Sequence, residues 1–140
     1  MLRRPRRNRK TEVIRDLVCE TTIAKTDCIY PLFMVQGEGV RYEEPSMPGI
    51  YRFSVDNLME EISECVNLGI KTFCLFPAFP ESQKDKYATL SYDPENFYLT
   101  TIARIKKDIP EACIMTDVAM DPYSSDGHDG IVENGEILND

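Results

Sequence analysis

Three short apolar runs, CIYPLFMV at 28–35, IKTFCLF at 70–76 and ACIMTDV at 112–118, constrain this chain more than any other feature, because each is nearly unbroken rather than alternating. A strand with apolar side chains on both faces belongs inside a parallel sheet with both faces covered. Between the runs lie helical patterns. After Ser54, a good N-cap, Leu58, Met59, Ile62, Cys65 and Val66 recur on one helical face with Glu60, Glu61 and Glu64 outside it, and Gly69 stands where a helix end favours glycine. Asp93-Pro94 reads as a cap followed by a first-turn proline, and Tyr98, Thr101, Ile102 and Ile105 repeat at helical spacing until Pro110. The order β, α, β, α, β predicts an α/β fold with a parallel sheet and right-handed crossovers.

Local features refine this. Pro31 removes a ladder donor and predicts a bulged or irregular first strand, while Pro77 and Pro80 are expected to close the second. Residues 81–92 are mostly polar and read as a loop. Residues 1–27 lack sustained periodicity and read as an arm, with room for one helical turn around Val13, Ile14, Leu17 and Val18. The chain ends on Asn139-Asp140, a capping pair with no helix after it, so it is expected to be cut short.

Charge divides the chain sharply. The net charge is −8, yet the first ten residues hold six cations and no acid, and from Asp117 onward there are seven acids and no Lys or Arg. An Arg-rich head suits nucleic acid or an anionic membrane, but an acidic body favours an arm that pairs with a neighbouring subunit, with neither nucleic acid nor membrane as partner. Nothing approaches the roughly 20 apolar residues of a membrane span, and no signal-peptide core is present, so the cytoplasm is the expected compartment. Cys19, Cys28, Cys65, Cys74 and Cys113 are odd in number and widely spaced, which predicts reduced, hydrophobe-like cysteines rather than a disulfide framework or zinc ribbon.

The chemistry concentrates in MTDVAMDPYSSDGHDGI, residues 115–131. Asp117 falls at the end of the third strand, where a carboxylate either positions an amine and moves a proton or simply caps the next loop. Asp121, Asp126 and Asp129 are hard oxygen donors suited to a magnesium-like ion, or else a solvated Asp/Gly turn. Gly127 and Glu133 are placed like the sixth and twelfth positions of a calcium loop, but Pro122 occupies the first and no helices flank it, which rejects an EF-hand. His128 is the only histidine. In a parallel sheet Phe79 reaches the same rim as Asp117, as a pocket wall or as a plug.

TDVAMDPYSSDGHDGIV, with GEILND after it, resembles the metal-site signature of the porphobilinogen synthase (5-aminolevulinate dehydratase) family; IYPLFMVQGEG, GIKTFCLFPAFP and the Arg-rich head resemble its first strand, second strand and N-terminal arm, in the same order. The resemblance implies the N-terminal part of a (β/α)8 TIM barrel: residues 1–27 as an extended arm that wraps a neighbour in a homo-octamer, and residues 28–140 as the first three βα units. It implies condensation of two 5-aminolevulinate molecules to porphobilinogen in tetrapyrrole synthesis, through Schiff-base lysines that match none in this segment and are expected beyond residue 140, so that the segment alone is expected to be inactive. Asp117 matches the strand-end active-site aspartate, with Phe79, Asp121 and Ser125 in the substrate pocket. Where zinc-dependent relatives carry three cysteines this chain has Ala119, Asp121 and Asp129, which disfavours zinc at that loop and implies the magnesium-responsive branch, with Asp121 and Asp129 as candidate ligands. The competing readings are a non-catalytic divalent-cation module using the same acids and an RNA-binding protein using Arg3 to Lys10.

Overall fold

The computed structural model describes residues 6–138; Met1 to Pro5 of the basic arm, Arg3 and Arg4 among them, and the Asn139-Asp140 pair lie outside the described residues. In chain order the regular elements are α1 (Glu12–Leu17), β1 (Ile29–Val35), β2 (Arg41–Glu43), β3 (Tyr51–Phe53), α2 (Val55–Leu68), β4 (Thr72–Ala78), α3 (Phe97–Asp108), β5 (Cys113–Thr116), β6 (Ile131–Glu133) and β7 (Glu136–Leu138). Five strands form one sheet in the order β2-β3-β1-β4-β5, and β6 and β7 form a separate hairpin. β3, β1, β4 and β5 run parallel to their neighbours, and only β2, at the edge, is antiparallel. The parallel core of the sequence reading is therefore present, widened by a hairpin strand pair that the apolar runs did not announce.

The register explains which residues are buried. Leu32 pairs with Leu75 and Met34 with Pro77, so one face of the sheet presents Leu32, Met34, Phe73, Leu75 and Phe53, all at most 2% exposed. Against this face pack Leu58, Ile62 and Cys65 from α2, and Tyr98 and Ile105 from α3. Each such side chain contributes about 1.5–3 kcal/mol on leaving water. The other face carries Ile29, Pro31 and Phe33 with Thr72, Cys74 and Phe76, which are exposed or half-buried. The expectation of strands covered on both faces is thus met on one face among the described residues, and the continuous apolar runs divide into a core side and an open side.

Several local expectations change. β1 keeps an unbroken register with β4 from Ile29 to Val35, straight through Pro31, so there is no bulge. β3 joins the other side of β1 only at Phe33 and Met34, where Pro31 has already been passed, so its missing N–H leaves no partner there unsatisfied. β4 starts two residues later than read and continues through Pro77 to Ala78. Asn96, not Asp93, caps α3, through its side-chain oxygen accepting the Leu99 amide at 2.9 Å. Asp93 instead accepts the Glu95 amide in the preceding turn. Ser54 occupies the N-cap position of α2, but its hydroxyl accepts from the Val40 amide at 2.8 Å rather than from the helix, tying the hairpin to the helix start. At the other end Gly69 is left-handed, with φ +96°, as the sequence predicts.

In the arm, Thr11 caps α1 by accepting the Ile14 amide, and Val13 and Leu17 of this one-and-a-half-turn helix remain exposed. All five cysteines carry free thiols. No helix of the described residues is long and apolar enough to cross a membrane.

Candidate active site

The parallel strands end together, and their C-terminal edge opens into a cavity of about 350 Å³ lined by Phe33, Phe76, Pro77, Ala78, Tyr98, Asp117, Asp121 and Arg52, among others. That size suits a small-molecule site, and the carboxyl edge of a parallel sheet is where α/β folds place ligands. The floor is aromatic: Phe33 and Phe76, paired in register, stack with centroids 5.6 Å apart. β5 ends at Thr116, so the next residue, Asp117, emerges at the rim with its side chain exposed. Asp121 lines the same cavity four residues later. The structure therefore brings together the two aspartates singled out at the strand end and in the acidic loop.

Phe79 and Ser125 go elsewhere. Phe79 is buried in an edge-to-face contact with Phe97 (4.8 Å) and against Tyr123 (4.9 Å), on the core side of the rim rather than on this cavity. Phe76 takes the role expected of it. Ser125 is exposed, and its amide donates to the Asp85 carbonyl at 3.0 Å, which with the Asp85 amide to Tyr123 carbonyl bond pins the acidic loop to the 81–92 segment.

Asp129 works on the loop from inside. One of its oxygens, Oδ1, accepts the amides of Met120 (2.7 Å) and Asp121 (3.2 Å), and these two bonds hold its carboxyl below the usual carboxylate range. His128 accepts the Gly130 amide through Nδ1, and Asp126 donates its amide to the Ser124 hydroxyl. Much of the Asp/Gly richness thus serves turn chemistry. Among the described residues no three His, Cys, Asp or Glu side chains come together as a metal site. A magnesium ion asks for about six oxygens in octahedral array, so this loop, with one Asp129 oxygen already committed, does not fit one by itself.

The cavity also contains residues that the sequence reading passed over. The helical spacing marks Tyr98 only as a core position, yet it also lines the cavity, while its phenol donates to the buried Leu75 carbonyl at 3.0 Å. Burial pushes that phenol up to about 12, with further contributions from Tyr123, Cys74 and Asp117. Burial likewise raises Tyr123 and, with help from Asp117, the Cys74 thiol. Among the described residues Arg52 is the one cation on the cavity wall. It sits in a three-residue strand with no motif around it, and only the pairing of β3 with β1 reveals its position. Among the described residues no lysine lines the cavity.

Comparison with known proteins agrees with the sequence resemblance. Residues 2–140 match the family model described as delta-aminolevulinic acid dehydratase. The chain is 46% identical over 138 residues to delta-aminolevulinic acid dehydratase of Chlamydia pneumoniae, covering 99% of this chain and 42% of the relative. It is 41% identical over 137 residues to that of Bradyrhizobium diazoefficiens, covering 98% of this chain and 39% of the relative. A crystal structure of delta-aminolevulinic acid dehydratase (porphobilinogen synthase) from Toxoplasma gondii ME49, in complex with the reaction product porphobilinogen, superimposes with a TM-score of 0.92 at 42% identity, over 100% of this chain and 40% of that one. The chain thus spans about two fifths of the length of these relatives.

Proposed function

The chain belongs to the delta-aminolevulinic acid dehydratase family, and from that premise we propose that it serves the condensation of two 5-aminolevulinate molecules into porphobilinogen with loss of two waters. The observation that carries the proposal is the placing of Asp117 and Asp121 on one cavity over the Phe33–Phe76 floor, at the carboxyl edge of a parallel sheet. Each substrate brings an ammonium group that must be held, and the one whose nitrogen closes the pyrrole ring must be deprotonated before it attacks, while the other is kept as the product's aminomethyl group. A strand-end carboxylate at an open rim orients such an amine and accepts its proton. The apolar floor of Phe33 and Phe76 accommodates the carbon skeleton.

The remaining parts of the reading are proposals of the same kind. The sheet is taken as the first strands of a (β/α)8 barrel, and residues 28–140 as its first three βα units. The arm, residues 1–27, with Val13 and Leu17 uncovered, is taken to wrap a neighbouring copy in a homo-octamer. Since no lysine among the described residues lines the cavity, the Schiff-base amines are proposed to come from outside these 140 residues, and the segment alone to be inactive. Carboxylates at 121 and 129 favour a magnesium-responsive enzyme over a thiolate zinc site, with the ion held elsewhere than in this loop alone. The cytoplasm is the proposed compartment.

Borohydride reduction of the intact protein with 5-aminolevulinate tests the proposal. A lysine adduct of the substrate's mass is expected, together with porphobilinogen formation before reduction. A protein that forms neither is not this enzyme.

A further inference from the structure

We propose that Asp85 is a positioning residue for the reaction, fixing through the backbone of the acidic loop where Asp121 stands on the cavity wall. What Asp121 does there rests on the enzymatic reading above; the role of Asp85 rests on geometry. Asp85 lies in the polar segment between β4 and α3 rather than on the cavity wall. Its amide donates to the Tyr123 carbonyl at 3.3 Å and its carbonyl accepts the Ser125 amide at 3.0 Å, a short parallel bridge centred on Ser124. Ser124 is buried, and Tyr123, two residues after Asp121, is both buried and part of the cavity lining. Asp121 is thus held from both directions. On one side Asp129 accepts the amides of Met120 and Asp121, and on the other Asp85 binds the backbone of Tyr123 and Ser125.

The Asp85 side chain gives this backbone its direction. Its Oδ1 accepts the amides of Tyr87 at 2.7 Å and Thr89 at 3.2 Å, and its carbonyl accepts the Ala88 amide at 3.2 Å as well as that of Ser125. These bonds hold Ala88, which is buried, at φ +50° and ψ +38°, in the left-handed region that an L-residue rarely adopts unless its surroundings impose it. An aspartate that closes a turn on the amides following it fixes the planes of its own peptide groups, and those are the groups that face the acidic loop. The neighbours of Asp85 brace it. Gln83 exchanges two amide hydrogen bonds, at 2.8 and 3.0 Å, with Gln36 just beyond β1, and Lys86 pairs with Glu133 of β6 at 3.1 Å. Two consecutive residues, 85 and 86, therefore grip the acidic loop before and after its Asp/Gly turn. A segment that merely joined β4 to α3 would need the turn but not its bonds to the loop.

A double-mutant cycle on the intact protein tests this, reading kcat/KM for porphobilinogen formation from 5-aminolevulinate. Asp121→Asn is expected to slow the reaction about tenfold or more, as for loss of a charge-assisted contact. Asp85→Ala should slow it about threefold to tenfold although its side chain does not meet substrate, because the carboxylate at 121 is then misplaced. The double variant should be within about twofold of Asp121→Asn alone, since misplacing a carboxylate has no effect once that carboxylate is gone. Asp85→Asn keeps the acceptor oxygen of the turn and should return most of the rate. Should Asp85→Ala not fold, Asp85→Ser, whose hydroxyl supports the same turn more weakly, enters the same cycle. Losses that multiply in the double variant, a full rate in either single variant, or an Asp85→Asn protein no faster than Asp85→Ala overturns the assignment while the enzymatic reading stands. A wild-type protein that forms no porphobilinogen overturns both.

Discussion

The carboxylate of Asp129 accepts the Met120 amide at 2.7 Å and so closes the loop that carries Asp121 to the cavity. The same oxygen takes the Asp121 amide, so a residue nine positions after Met120 sets where the cavity's second acid stands. Asp129→Ala is expected to loosen this loop without unfolding the sheet, read as faster amide exchange at Met120 and Asp121 than at Leu75. The sign with pH follows from the depressed carboxyl. Its contribution is complete above the ordinary aspartate value of 3.8 and is lost as pH falls through its lower folded value. In the wild type, exchange at Met120 should therefore rise on the acid side of 3.8, and in Asp129→Asn this step should disappear.

Tyr98 gives the opposite pH dependence. Its phenol is raised to about 12, so the stability it supplies is fully present below the ordinary tyrosine value of 10 and is lost as pH climbs through about 12. Burial and Glu61 raise Tyr30 to about 12 as well, so ultraviolet titration of the seven tyrosines should show a late step near this pH to which both contribute, and Tyr98→Phe should remove the Tyr98 share of it while Tyr30→Phe removes the other. Tyr98→Phe also deprives the buried Leu75 carbonyl of a donor, with an expected cost of about 1 kcal/mol in denaturant unfolding.

Gly69 ends α2 with φ +96°, and an added Cβ would lie 3.1 Å from the Lys25 side chain, which is flexible and can move. The backbone cannot. Gly69→Ala should destabilise by about 1–2 kcal/mol, the cost of placing an L-residue in the left-handed region. Lys25→Ala in the same background should restore little of it, because strain rather than the contact dominates. A full recovery on removing Lys25 would reverse that ranking.

The elements that were legible in the sequence share one property: their pattern is long enough to choose a period. Leu58, Ile62 and Cys65 fix α2 over fourteen residues, and the three apolar runs fix β1, β4 and β5. β2 (Arg41-Tyr42-Glu43) and β3 (Tyr51-Arg52-Phe53) are three residues each, too short for the alternation they carry to be told from chance. With them went Arg52, the cavity's cation. The β6–β7 hairpin does carry a local signal: Asn134-Gly135, both at positive φ (+53° and +82°), is the residue pair a tight hairpin turn prefers. Phe79 was misplaced for a geometric reason. β4 continues through Pro77, and residues 73, 75 and 79 fall on the core side while 74 and 76 face the other way, so Phe76 rather than Phe79 enters the cavity.

Asp117 is the position where fold and chemistry separate most cleanly. It is exposed at the end of β5, lines the cavity and makes no side-chain hydrogen bond among the described residues, so nothing in the core depends on it. Asp117→Asn preserves volume and removes only the negative charge and the proton-accepting oxygen. In the intact protein its unfolding midpoint should match the wild type within about 0.5 kcal/mol, as for a surface substitution. Porphobilinogen formation should fall by about 10²–10⁴-fold, the range for loss of a positioned base. If Asp117 orients and deprotonates the amine, borohydride should still trap the first substrate on lysine, because imine formation there does not require this carboxylate, while porphobilinogen formation shows the loss. Full turnover in Asp117→Asn would move the proton transfer to Asp121, whose asparagine variant would then show the loss instead.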